Sequence, residues 1–223
     1  MNTTTTISGK TFLPLSGNDA RVLIVLLHGY GGNAAGLFRA LAPLRTEFPD
    51  FAFAIPNGPF PINESTYAWI KLQFPIIMEQ VWEGAVLAAP ALNNYIDPEL
   101  SILTLTPDQL ILTGFSQGAI MALHIGLLRK IAPLGIIALA GFLAGEKHLC
   151  EAISKPPVYI ISGYDDAVAS PAITTATSLA LHDHGIDVHQ TLVKGLGRAI
   201  NDKVITEINK ALNSLLTITL PIK

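Results

Sequence analysis

The hexapeptide Val22–Leu27 (VLIVLL) contains no polar side chain, and it constrains the fold more than any other segment. Six consecutive apolar residues are too few for an ordinary buried helix and lack the alternation of a half-exposed strand. They fit a strand covered on both faces. Runs of the same kind recur at Phe51–Ile55, Leu110–Thr113, Leu134–Leu139 and Val158–Ile161, whereas Asp187–Val193 alternates more and is expected nearer an edge. Helical patterns lie between them: Ala34–Leu44, Ile76–Asn94 with Pro90 as a candidate terminator, and Gln117–Lys130. Two more follow, Pro171–His184 ahead of Gly185, and Asn201–Leu216 with Asn201 as a candidate N-cap. Strand alternating with helix implies parallel pairing and right-handed crossovers. The expected fold class is therefore α/β, a three-layer sandwich around a mainly parallel sheet. One domain is expected to span residues 1–223, with 1–10 as a flexible N-terminal segment.

Composition narrows the function. Half of the 223 residues are apolar and 14% are charged, against about 25% charged in ordinary soluble domains. Such a chain is too hydrophobic for disorder. A net charge of −3 argues against nucleic acid as a partner. The single cysteine, Cys150, excludes an intrachain disulfide and cysteine-rich zinc sites. No metal and no cofactor is expected. The opening MNTTTTISGK has neither a basic nor an apolar signal region, so a cytoplasmic setting is expected. Of two uncharged stretches, Ile131–Gly145 is too short to span a bilayer. Gln109–Leu128 is interrupted by polar residues and by Gly114 and Gly118, so no stable membrane insertion is expected. So few charges are compatible with a homodimer.

In open α/β sheets, ligands collect at the carboxyl ends of the strands, and the unusual residues sit in those loops. After Thr113 comes Gly114-Phe115-Ser116-Gln117-Gly118, between a strand pattern and a helical one. This fits a nucleophile elbow, a strained turn that presents the Ser116 hydroxyl at a helix N-terminus. Acyl transfer also needs preset N–H donors for an oxyanion. The Gln117 N–H follows the nucleophile. The second donor is expected in the loop after Leu27, at Tyr30, with Gly29, Gly31 and Gly32 letting the backbone turn inward. No Lys-Ser/Thr follows that loop, which argues against phosphate binding. His28 is expected to brace the loop rather than act as a base. An acid is expected after Ile161, at Asp165 or Asp166.

The strings LLHGYGGN, IPNGP, Trp69, GFSQGA and SGYDDAV, in this order, resemble the phospholipase/carboxylesterase family of α/β-hydrolases. That family includes acyl-protein thioesterases and small bacterial carboxylesterases. The similarity runs from about Val22 to Leu216. It implies an α/β-hydrolase sandwich and a serine hydrolase acting on small carboxylic esters or thioesters. Alignment on Gly163 and Val168 places the triad acid at Asp166. The chain departs from that motif at Ser162, Ala167 and Ala169. The resemblance also implies that Pro56, Asn57 and Trp69 shape the site, with His28, Gly29 and Gly31 beside the substrate.

The family's catalytic histidine belongs to a G-x-G-H motif, and this chain reads Gly195-Leu196-Gly197-Arg198. A guanidinium is already protonated and has no acceptor lone pair, so it cannot take a proton from serine. An ion pair between Arg198 and Asp166 is expected, with severely impaired catalysis. The alternative is an inactive hydrolase fold that binds an acylated ligand or a partner protein. Among the other histidines, His148 follows a strand on the site's side of the sheet and is the one candidate substitute. His124, His182, His184 and His189 are expected to be structural or surface residues.

Overall fold

The computed structural model describes residues 6–73 and 75–219. Its principal sheet has seven strands: β1 (Gly9–Phe12), β2 (Val22–Leu27), β3 (Phe51–Pro56), β6 (Leu110–Phe115), β7 (Gly135–Leu139), β8 (Val158–Gly163) and β9 (Val188–Val193). Their spatial order is β1-β3-β2-β6-β7-β8-β9. Only β1 runs antiparallel, pairing with β3, and every other neighbour is parallel. Two short strands, β4 (Phe60–Pro61) and β5 (Tyr67–Ala68), form a separate hairpin.

Among the described residues, six α-helices complete the fold: α1 (Ala34–Leu41), α2 (Pro43–Glu47), α3 (Met78–Ile102), α4 (Gln117–Leu128), α5 (Pro171–Asp183) and α6 (Asp202–Thr219). The central strands are buried along their length because each feeds two cores. Alternate residues Leu23, Val25 and Leu27 join the core that also holds side chains of α3, α4 and α5, while Val22, Ile24 and Leu26 join the core that holds those of α1, α2 and α6. The uninterrupted VLIVLL run is thus two interleaved apolar faces. Asn201 caps α6 by accepting from Val204 N–H at 3.2 Å.

Three expectations need correction. The segment 1–10 is not flexible throughout: Gly9 and Lys10 belong to β1 and pair with Pro56 and Ile55, while residues 1–5 lie outside the described set. Pro90 does not end the third helix, which runs through Pro90 and Pro98 to Ile102. Packing of Val81, Ala85, Ala88, Leu92, Ile96 and Leu100 outweighs the lost backbone bonds. The helix expected at Ala34–Leu44 is two, divided between α1 and α2, with Pro43 opening the second.

Helix α4 is buried almost along its length, which places its N-terminus at the centre of the sheet's carboxyl edge. At its other end Arg129 ties α4 to α3, donating to Asn93 Oδ1 at 2.8 Å and pairing with Asp97. No helix among the described residues is long and apolar enough to cross a membrane.

Candidate active site

Ser116 joins β6 to α4 with φ 59° and ψ −117°, a conformation that L-residues rarely adopt. Close packing enforces it. A Cβ on Gly114 would lie 2.1 Å from Gly118 O, and one on Gly118 would lie 2.0 Å from Leu27 O. A Cβ on Gly141 would meet Ala119 Cβ at 2.3 Å. Ser116 N–H donates to Leu139 O at 2.8 Å, fixing the turn to the end of β7.

The loop after β2 passes directly beside this turn, with a Cβ position on Gly29 only 3.1 Å from Ser116 Cβ. Gly31 takes φ +72°, where a side chain would be strained, and its N–H donates to Tyr67 O at 3.0 Å. Among the described residues, the Tyr30 N–H has no acceptor. The Gln117 N–H opens a helix, where no intrahelical partner exists.

His28 and Trp69 are buried, with exposures of 1% and 0%. His28 Nδ1–H donates to Gly29 O at 2.7 Å, and Nε2 accepts from Gly58 N–H at 2.9 Å. This arrangement requires the neutral ring. Burial pushes the imidazole below its ordinary pKa, opposed by the bond to Gly29. Trp69 Nε1–H donates to His28 O at 2.9 Å. Both residues thus bond to the backbone of the loop after β2.

The side chain of Gln117 has a structural role that sequence reasoning missed. Its Oε1 accepts from Trp69 N–H and its Nε2 donates to Ile70 O, both at 2.7 Å, in a buried position. The partners are backbone groups 47 and 48 residues away, so no local pattern announces them.

Asp166 lies in the loop after β8, its side chain fully buried, whereas Asp165 is exposed. Oδ1 of Asp166 accepts from Val168 N–H at 2.8 Å and from Ala169 N–H at 3.0 Å. The loop after β9 is pressed against it. A Cβ on Gly163 would lie 2.1 Å from Leu196 O and 2.3 Å from Gly197 O, and Asp165 N–H donates to Leu196 O at 2.9 Å.

That approach delivers Arg198 between acid and hydroxyl. Nη1 donates to Asp166 Oδ2 at 3.1 Å and to Oδ1 at 3.3 Å, while Nη2 donates to Ser116 Oγ at 2.5 Å. The guanidinium carbon stands 5.8 Å over the Phe115 ring. A serine, a cation and a carboxylate thus form one chain of contacts at the carboxyl edge of the sheet.

Among the described residues, no imidazole bonds to Ser116. His148 stacks on Trp82 at 3.5 Å and bonds Glu151 at 2.8 Å and Glu79 at 3.3 Å. His189 stacks on Tyr159, and His184 bonds its own helix at Ala180 O. His124 is buried on α4.

A mainly parallel sheet crossed by helices on both faces, with a strained serine turn between a central strand and a buried helix, defines an α/β-hydrolase. The chain belongs to the Phospholipase/Carboxylesterase family, which it matches over residues 14–216. It is 26% identical over 196 residues to acyl-protein thioesterase 1 of Neurospora crassa, covering 79% of each chain. The crystal structure of esterase PE8 superposes with a TM-score of 0.89 at 32% identity, over 95% of this chain and 100% of that one. Acyl-protein thioesterase 2 of Zea mays shares the fold, with a TM-score of 0.67 at 20% identity over 94% and 99%.

Proposed function

We propose that this protein is a carboxylesterase- or thioesterase-type serine hydrolase whose turnover is severely impaired. Ser116 is the acyl-accepting nucleophile, Asp166 the triad acid, and the Tyr30 and Gln117 N–H groups the oxyanion donors. Arg198 stands in the place of the triad histidine. The observation that carries this reading is the bridge of Arg198 from Asp166 to Ser116 Oγ, the span an imidazole fills in a working triad. A hydroxyl is a weak nucleophile until a base takes its proton, and guanidinium has no lone pair for that purpose. Loss of one triad member leaves about 10³–10⁴-fold catalysis over water, from binding and the oxyanion donors. Small carboxylic esters or thioesters are the substrate class that the family supports. The single exposed thiol, Cys150, suits a reducing compartment such as the cytoplasm.

The same contact favours a second reading, in which the fold binds an acylated ligand or partner protein without cleaving it. Turnover of 4-nitrophenyl butyrate and labelling by a fluorophosphonate separate the two. Arg198→His is expected to raise kcat by at least about 100-fold, the low end of what a general base contributes, and to label at Ser116. Ser116→Ala is expected to abolish both effects. An Arg198→His protein that folds but neither turns over nor labels would reject the Ser116 assignment.

A further inference from the structure

The Arg198 guanidinium does one thing that a resting imidazole does not: it keeps a permanent cation against the Ser116 oxygen. Nη2 donates to Oγ at 2.5 Å, and the charge persists at every pH the protein tolerates. An opposite charge at hydrogen-bond distance favours the ionised form of an acid. Hydrogen bonds to an ionised oxygen are about twice as strong as those to a neutral one. Asp166 holds the other nitrogen, which aims the fork at Oγ while sharing part of its charge. The contact that removes a base therefore favours the alkoxide.

Resting on the hydrolase reading above, we propose that Ser116 reacts as an Arg198-stabilised alkoxide and transfers acyl groups only from esters whose leaving group departs as an anion. The substrates are then thioesters and aryl esters rather than alkyl esters. Solvent hydroxide takes the Ser116 proton and becomes water. The alkoxide pair forms the Oγ–C bond as the carbonyl pair moves onto oxygen, beside the Tyr30 and Gln117 N–H groups. That pair returns, the C–S or C–O bond breaks, and thiolate or phenolate leaves with the bonding electrons. A second hydroxide adds to the acyl-serine, and the Ser116 alkoxide leaves to its place on Arg198. The released acid gives its proton to solvent.

Leaving-group selectivity follows from the proton balance. In a histidine triad, the imidazolium that took the serine proton returns it to the leaving group. Arg198 holds no proton that it releases in this range. A thiol with a pKa of about 8.5 or a phenol near 10 departs unaided. An alkanol, an acid nearly as weak as water, does not.

The test uses the full chain and matched butyryl esters with 4-nitrophenol, phenol, an alkyl thiol and ethanol, from pH 6 to 9. The wild-type rate on the aryl ester is expected to rise about tenfold per pH unit without a plateau near 7. The ratio of 4-nitrophenyl to ethyl ester turnover is expected to exceed that of Arg198→His by about 100-fold, the low end of what a general acid contributes. Arg198→Gln, which keeps a donor and removes the charge, is expected to lose at least tenfold at pH 9. A wild-type plateau near 7, or an ester ratio equal to that of Arg198→His, would overturn the alkoxide proposal while leaving Ser116 as nucleophile. Activity that survives Ser116→Ala would overturn the hydrolase reading itself. No turnover of any ester at pH 9 would defeat both.

Discussion

Gln117→Met isolates the side chain of the residue that follows Ser116 from its backbone N–H. The Gln117 carboxamide satisfies two buried backbone groups, Trp69 N–H and Ile70 O, at 2.7 Å each. Methionine is nearly isosteric, so the substitution opens little cavity and leaves the two groups unpaired. A buried group left without its partner costs about 1–3 kcal/mol. The two together give about 2–6 kcal/mol, centred near 4. For a chain of this length, each kcal/mol lowers the melting temperature by about 2–4 °C. The expected shift is therefore about 8–16 °C, read by circular dichroism and checked by the urea midpoint. The backbone donor at 117 is untouched, so the predicted loss is in stability. A shift below about 4 °C would refute the reasoning, because it would mean that water or a local rearrangement satisfies both groups.

Burial holds the His124 imidazole at a pKa of about 4, against an ordinary 6.5 and despite the opposing pull of Glu151. Above pH 6.5 the ring is neutral in both folded and unfolded chains. Below it, the unfolded chain binds a proton that the folded one refuses, so stability falls by about 1.4 kcal/mol per unit down to pH 4. The sum is about 3 kcal/mol, and His124→Leu should remove that slope. Urea midpoints at pH 7.5 and 4.5 check it, and an equal fall in both proteins would contradict the assignment. Two glycines separate close approach from backbone strain. Gly118→Ala drives a Cβ to 2.0 Å from the Leu27 carbonyl and should cost more than about 4 kcal/mol or abolish folding. Gly195→Ala, at φ +70° with nothing within 4 Å, should cost about 1–2 kcal/mol. Comparable melting temperatures for the two variants would count against the packing argument.

The strands that feed both cores were legible because their period is unmistakable: VLIVLL offers no polar face. The site loops were legible because glycine spacing records where backbones must pass closely, as at Gly114 and Gly118. Strand β1 was not, because GKTF is a short edge segment held mainly by backbone pairing to β3. The length of α3 was hidden because tertiary packing outweighed the helix-breaking tendency of Pro90. The burial of His28 and Trp69 was also hidden, since motif position says that a residue is near a site and not which way it faces. The family resemblance placed Arg198 at the histidine position, with an ion pair to Asp166 expected. It did not show that the second nitrogen of the same fork would reach Ser116.

The presentation of Ser116 does not depend on which residue follows Gly197. Its strained backbone, at a cost of about 1–3 kcal/mol, is enforced by Gly114, Gly118 and Gly141 packing against α4 and the end of β2. None of these contacts involves position 198. The acid is equally independent: two backbone N–H groups hold Asp166 Oδ1 before Arg198 adds its own bonds. An imidazole and a guanidinium therefore meet the same prepared gap, bounded by a fixed carboxylate and a fixed hydroxyl. What changes between them is the chemistry of the proton. An imidazole can accept a proton from a hydroxyl and pass it on, whereas a guanidinium can only donate to that oxygen. Because Ser116 and Asp166 are held separately, the residue at 198 can change without moving either.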